Sequence, residues 1–293
     1  MWALRENYDV EISDDPDYLF CSQGPSYEIL DLPDRWVKIF YTGENLFPDF
    51  NLVDYAFGFD WMQVGDRYMR LPNYYFSGPQ QEQTRLVDTK HLLPNDFDLK
   101  KNKPDFCSFV VSNGNGSPLR KQFFELLSKY KKVNSGGRFL NNVGGPCKDK
   151  MNFISTHKFC IAFENSSHPG YSTEKITEAF AARTIPIYWG DPNVGKIFNP
   201  KAMIFVNDYE SLDEVVERVK YLDSNDDAYL EVLCQPAWID DKYMLDNYKI
   251  QVAAFLKHII DQPLESAYRY DRTFYGPLYK NMLLHWRNSS RMS

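Results

Sequence analysis

The chain has 293 residues, 43% hydrophobic and 25% charged. At about 150 residues per domain that is enough for two domains with a core each, and it is too apolar for a disordered chain. A net charge of −7 and a pI near 5.3 argue against a nucleic-acid binder, and no run approaches the roughly eighteen apolar residues of a membrane span or a signal peptide, so a cytoplasmic protein is expected.

The first elements are short apolar runs at Tyr18–Cys21, Val37–Tyr41 and Tyr55–Phe59, bounded by Pro, Asp and Gly, and they predict strands. Residues 1–60 hold 3 Lys/Arg against 13 Asp/Glu, leaving 30 against 27 for the rest. The first part should repel phosphates, which suits a neutral ligand there and an anionic one further on, or simply an acidic solvated face. Just past the second run, F-Y-T-G-E-N places Glu44 beyond the end of a strand. Catalytic groups of open α/β sheets stand there, and a carboxylate could take a proton from a hydroxyl or cap the next turn.

A polar segment with two prolines, Asp88 to Asp105, is the predicted linker. Beyond it Phe106–Val111 predicts a strand and Leu119–Tyr130 a helix opened by Ser117-Pro118, with Arg120 in its first turn. Arg138 in S-G-G-R is a weaker basic candidate. The strand Phe159–Phe163 runs into Glu164-Asn165, a loop bearing His168, and a helix Thr173–Ala182 capped by Ser172 or Thr173, with Glu174 and Lys175 in its first turn. A lysine at that positive helix end is poorly placed unless an anion sits there; the plainer alternative is a lysine on a solvated turn. Two such junctions, with Arg120 and Lys175, could converge on a pyrophosphate.

Strands at Ile185–Trp189 and Met203–Val206 and helices at Leu212–Leu222 and Asp241–Ile260 complete an alternating order, which predicts α/β lobes with parallel sheets. The last 26 residues hold five basic residues and one acidic among Tyr270, Phe274, Tyr275, Tyr279, Leu283, Leu284 and Trp286. This tail is expected to cover the preceding domain or lie on an anionic membrane surface. Five cysteines without C-x-x-C spacing predict free thiols, and five histidines without metal spacing predict no metal site.

Taken in order, the motifs F-Y-T-G-E-N, F-N-L-V-D-Y-A-F-G-F-D, D-R-Y-M-R-L-P-N-Y-Y, F-V-V-S-N with P-L-R, F-E-N, Y-S-T-E-K-I and T-I-P-I-Y-W-G-D-P with F-N-P resemble the α1,3/4-fucosyltransferases (glycosyltransferase family 10), especially the bacterial Lewis-antigen type. The resemblance spans roughly Tyr18 to Trp238. It implies a GT-B fold, two Rossmann-like lobes with a cleft between them, divided as 1–102 (acceptor lobe and linker), 103–262 (donor lobe) and 263–293 (tail). It implies inverting transfer of L-fucose from GDP-β-L-fucose to a GlcNAc hydroxyl of an N-acetyllactosamine-type acceptor, giving a Lewis x-like product, with no cofactor or metal required.

Carried over by position, Glu44 is the expected general base. Arg120 and Lys175 are expected on the phosphates, Glu174 on the ribose, and Tyr171 and Asn165 on the donor. Members of the family have a strand and loop before the segment matching Leu4–Val10, so the first strand of the N-terminal lobe is expected to be absent here. Two alternatives follow: a GDP-sugar-binding protein without turnover, and a transferase of the same fold for another nucleotide sugar.

Overall fold

Apolar runs too short for helices become parallel strands. In a computed structural model, which describes residues 2–22, 28–75, 78–270 and 276–290, the chain opens with helix α1 (Trp2–Arg5). Strands β1 (Tyr18–Cys21), β2 (Val37–Phe40), β3 (Tyr55–Gly58) and β4 (Tyr68–Arg70) follow. They form a parallel sheet in the order β1-β2-β3-β4, in register at Tyr18–Val37, Ile39–Tyr55 and Ala56–Tyr68. β2 and β3 are buried along their whole length, as strands covered on both faces must be, which is why they read as continuous apolar runs. β1 is an edge of this sheet.

The next helix, α2 (Gly78–Asp88), begins a second unit, which comprises residues 73–245. The boundary expected at 102 is corrected, because Asp88 accepts a hydrogen bond from Trp238 Nε1 at 2.8 Å and Lys90 Nζ donates to the carbonyl of Leu233 at 2.9 Å. The stretch read as a linker contains α3 (Leu99–Asn102) and lies inside this unit.

Here β5 (Asp105–Phe109), α4 (Leu119–Ser128), β6 (Val133–Ser135), α5 (Lys150–Ser155), β7 (His157–Phe163), α6 (Glu174–Ala181), β8 (Ile185–Trp189) and β9 (Ile204–Phe205) alternate, and α7 (Leu212–Ser224) and α8 (Asp226–Leu233) follow. The sheet is parallel in the order β6-β5-β7-β8-β9. Its core joins Phe109, Phe123, Phe163 and Ile187 to Val215 and Val219 of α7.

The chain then returns to the first unit, which comprises residues 1–72 and 246–293. Helix α9 (Leu245–Ile260) sets Phe255 edge-on against Phe57 at 5.1 Å, and α10 (Leu264–Ala267) leads to Tyr270, whose hydroxyl receives Lys38 Nζ at 2.8 Å. Helix α11 (Gly276–Ser290) lays Tyr279, Leu283 and Leu284 on the core of Ile29, Phe40 and Val53. Arg287 forks onto Asp31 with two 2.7 Å bonds. The boundary expected at 262 is therefore corrected too: the basic tail covers the first unit through specific bonds. Phe274 and Tyr275 lie outside the described residues. The five cysteines are free thiols, and no helix among the described residues is long and apolar enough to cross a membrane.

Candidate active site

In the second unit the chain builds β5, steps to β6 on one side, then crosses to β7 on the other. Loops leaving the carboxyl ends of β5 and β7 therefore diverge, which opens the crevice where open α/β sheets hold ligands. Both cations expected on an anion follow these two strands.

Arg120 lies in the first turn of α4 and is 1% exposed. Its Nη1 donates to Asn165 Oδ1 at 2.8 Å and its Nη2 to the carbonyl of Asn113 at 3.0 Å. The backbone of Asn165 accepts from Ser117 N–H at 2.8 Å, so the two loops are tied together at this side chain. A Cβ at Gly116 would collide with the guanidinium, which explains a glycine there. Nε is buried without a hydrogen-bond partner among the described residues, an orphan donor of the kind an incoming oxygen satisfies. Burial pulls the guanidinium below its usual range, against the field of Glu164.

Lys175 begins α6. Its Nζ donates to Glu164 Oε2 and Thr173 Oγ1, each at 3.0 Å, and lies 3.6 Å from Glu174 Oε1. Burial opposes its charge, but Glu164 and then Glu174 outweigh it and push the ammonium above its usual range. Glu164 is wholly buried and also accepts Thr173 N–H at 2.7 Å and Thr173 Oγ1–H at 2.6 Å. Burial raises its carboxyl in spite of Lys175. Glu174 is half-buried; burial would raise it, but Lys175 and Lys150 hold it lower. Asn73 Nδ2 reaches its Oε2 at 3.5 Å.

Between these groups, the loop carrying Tyr171 is fixed from β8. Asp191, fully buried, accepts Gly170 N–H at 2.8 Å, Ser172 Oγ–H at 3.1 Å and Asn193 N–H at 2.7 Å. Tyr171 is 4% exposed. His168 Nδ1 stays with the carbonyl of Pro169 at 2.9 Å, and Arg138 is exposed.

Arg120, Asn165, Tyr171, Glu174 and Lys175 thus belong to two adjacent strand-to-helix junctions of one unit. Glu44 belongs to the other unit. It is exposed beyond β2, where its N–H donates to Thr42 Oγ1 at 3.1 Å and its carbonyl accepts Leu46 N–H at 2.8 Å. Sequence reasoning missed Glu164 and Asp191, though F-E-N and W-G-D-P mark both at strand ends. Among the described residues no group of three His, Cys, Asp or Glu side chains is placed to hold a metal.

Residues 100–257 match the model of glycosyltransferase family 10 (fucosyltransferase), C-terminal part, and residues 1–77 that of the α-(1,3)-fucosyltransferase FucT N-terminal domain. The chain is 37% identical over 253 residues to the α-(1,3)-fucosyltransferase FucT of Helicobacter pylori, covering 76% of this chain and 53% of that protein. It is 28% identical over 254 residues to a putative fucosyltransferase of Acanthamoeba polyphaga mimivirus, covering 80% and 39%. The chain thus spans about half or less of the length of these curated relatives.

Two solved structures are similar along most of the chain. A crystal structure of an α1,3-fucosyltransferase with GDP superposes with a TM-score of 0.75 at 32% identity, covering 93% of this chain and 86% of that one. One with GDP-fucose gives 0.70 at 30% identity, covering 92% and 98%. Two Rossmann-like α/β units of the GT-B type are common ground.

Proposed function

Because the chain belongs to glycosyltransferase family 10, the fucosyltransferases, we propose that it moves L-fucose from GDP-β-L-fucose to a GlcNAc hydroxyl of an N-acetyllactosamine-type acceptor, with inversion at the anomeric carbon. The observation that carries this reading is the pair of cations at the strand divergence. Arg120 keeps an unpartnered buried Nε, and Lys175 stands in the first turn of α6, at the positive end of the helix dipole, which favours an anion.

In the proposed reaction Glu44 removes the acceptor hydroxyl proton while that oxygen attacks the face of the sugar opposite GDP. The bond to the diphosphate breaks in the same displacement. Arg120, Lys175 and the start of α6 stabilise the charge that builds on the departing phosphate, in a site already ordered before reaction. Glu164 keeps Lys175 protonated and aimed. Asn165 spends its side-chain oxygen on Arg120 and so acts on the donor chiefly by holding that guanidinium. Glu174 is assigned to the ribose, and Tyr171 to the wall of the donor site. The scheme uses no metal or cofactor.

The test is release of GDP from GDP-fucose with and without N-acetyllactosamine, with mass analysis of the product, for the chain and for Glu44→Gln. Fucosylated product that falls by about 10² to 10⁴ in the variant is expected, the range a positioned base supplies. GDP binding without transfer would reduce the chain to a binding protein, and turnover retained in Glu44→Gln would remove Glu44 from the role.

A further inference from the structure

The amino ends of the same strands carry a second cationic place. A cavity of about 360 Å³ is lined by Phe97, Lys103, Met151, Asn152, Ser155 and Arg183 among others. Its lining residues include these two cations and no carboxylate. Lys103 precedes β5, Ser155 ends α5 just before β7, and Arg183 lies between α6 and β8, so this cavity and the donor loops occupy opposite ends of the sheet.

Lys103 is accounted for. Its Nζ donates to the carbonyls of Ser155 at 2.6 Å and Ala182 at 2.9 Å and to Thr184 Oγ1 at 3.1 Å. Those carbonyls are the negative ends of α5 and α6, and two helix ends at about half an elementary charge each balance one ammonium. Arg183 is then the charge left over. Its Nη2 makes one long contact, 3.4 Å to the carbonyl of Leu92, and its Nε is buried without a partner among the described residues.

The backbone of Arg183 makes the same point. It closes α6 with its N–H on the carbonyl of Phe180 at 2.9 Å, while Thr184 N–H returns to Ala179 at 3.0 Å. This is the turn in which glycine is preferred, because the residue must be left-handed. Arg183 adopts it at φ +49°, a strained place for a side chain that the turn does not use. Burial, and then the nearby charge of Arg183, pull Lys103 down to about 7, so Arg183 is the lasting positive charge of the cavity.

We propose that this cavity binds a small oxyanion, a phosphate monoester or carboxylate, whose charged head bonds Arg183 and whose apolar body lies on Phe97 and Met151. The site is separate from the donor loops and does not depend on the transferase reading. A charge-assisted bond to a guanidinium is the stronger kind, so loss of Arg183 weakens such a ligand at least about tenfold.

The experiment follows the ¹³C-methyl resonance of Met151, assigned through Met151→Leu, during titration with phenyl phosphate, benzoate and neutral phenol. Saturable shifts with either anion, absent with phenol, are expected. Phenyl phosphate alone, or benzoate alone, would identify which head group the site takes. Arg183→Gln and Arg183→Gly should each weaken the response at least tenfold, while Arg183→Gly, freed of its left-handed strain, raises the Tm of the free chain. No saturable shift, an equal shift with phenol, or unchanged affinity in both variants overturns the site. A Tm that falls in both variants makes the guanidinium part of the fold and overturns it as well. A response lost in Arg120→Ala but kept in the Arg183 variants places the anion at the donor loops and does the same.

Discussion

Two lysines at opposite ends of one sheet are both taken out of water, and they titrate in opposite directions. The side chain of Lys175, at the carboxyl ends, is 16% exposed, and its ammonium is pushed above its usual range: burial opposes the charge, but Glu164 and Glu174 overcome it. Lys103, at the amino ends, is 5% exposed and falls to about 7, through burial first and then Arg183, with only neutral oxygens to hold it. Burial sets the cost of a charge in both places; the chemistry of the partner decides whether the charge survives. At one end the fold maintains a permanent cation, and at the other it maintains a helix cap that gives up its proton readily.

The sharpest way to break this contrast is Glu164→Gln, which removes the stronger of the two carboxylates holding Lys175 and leaves Glu174 at 3.6 Å. Removing one member of a buried pair costs about 3–5 kcal/mol, read as a lower urea midpoint. GDP binding should also change its pH dependence. The pKa of Lys175 is raised, so in the folded protein its ammonium stays fully charged at and beyond pH 9. Wild-type affinity is therefore flat from pH 7 to 9 on this account, and in Glu164→Gln it declines across that range. An unchanged midpoint and a flat profile in the variant would show that Glu164 does not govern Lys175.

A smaller effect is expected from Arg120→Lys. The charge stays, but the fork that reaches Asn165 and Asn113 together is lost, and with it the bond offered by Nε. Weakening of GDP by about 1.5–3 kcal/mol, the value of a hydrogen bond to a charged group, should appear in calorimetric titration. Equal affinity would mean that charge alone matters at that position.

The amino end is tested by Lys103→Met. With a folded pKa of about 7 against 10.5 unfolded, the unfolded chain binds more protons between those values, so stability rises with pH from 7 towards 10. Lys90, also drawn down to about 7 by burial, contributes the same sign. Removing Lys103 should therefore flatten the slope by about half over pH 7–9 in urea unfolding. A slope that survives intact would assign it to other groups.

This contrast was only half legible in the sequence. A cation in the first turn after a strand is a local pattern, so Arg120 and Lys175 stood out, and the strand at Ile185–Trp189 was bounded by its own composition. Glu164 and Asp191 were visible as letters, but their burial depends on loops from β7 and β8 meeting through Asp191, 21 residues from Gly170. Lys90 and Lys103 carry no local signature, because what buries them comes from α8 and from the ends of α5 and α6. Domain limits failed for the same reason: Asp88 meets Trp238 across 150 residues, and Arg287 meets Asp31 across 256. Composition ranks a polar helix or a basic tail by its own residues, and contacts at such separations decide where it belongs.

The smallest expected effect is on the stability of Glu44→Gln, and its smallness carries the argument. Glu44 is exposed, and the bonds recorded at its position are made by its backbone, to Thr42 Oγ1 and Leu46 N–H. An amide of the same shape leaves those bonds in place, so the urea midpoint should move by less than about 0.5 kcal/mol and GDP affinity should stay within error. Glu164, a carboxylate of the same chemistry, is bound on both oxygens and its loss is felt by the whole second unit. If Glu44→Gln costs more than 1 kcal/mol of stability by this measure, the carboxylate is holding its own loop, and any fall in turnover must be charged to that loop before it is charged to proton transfer.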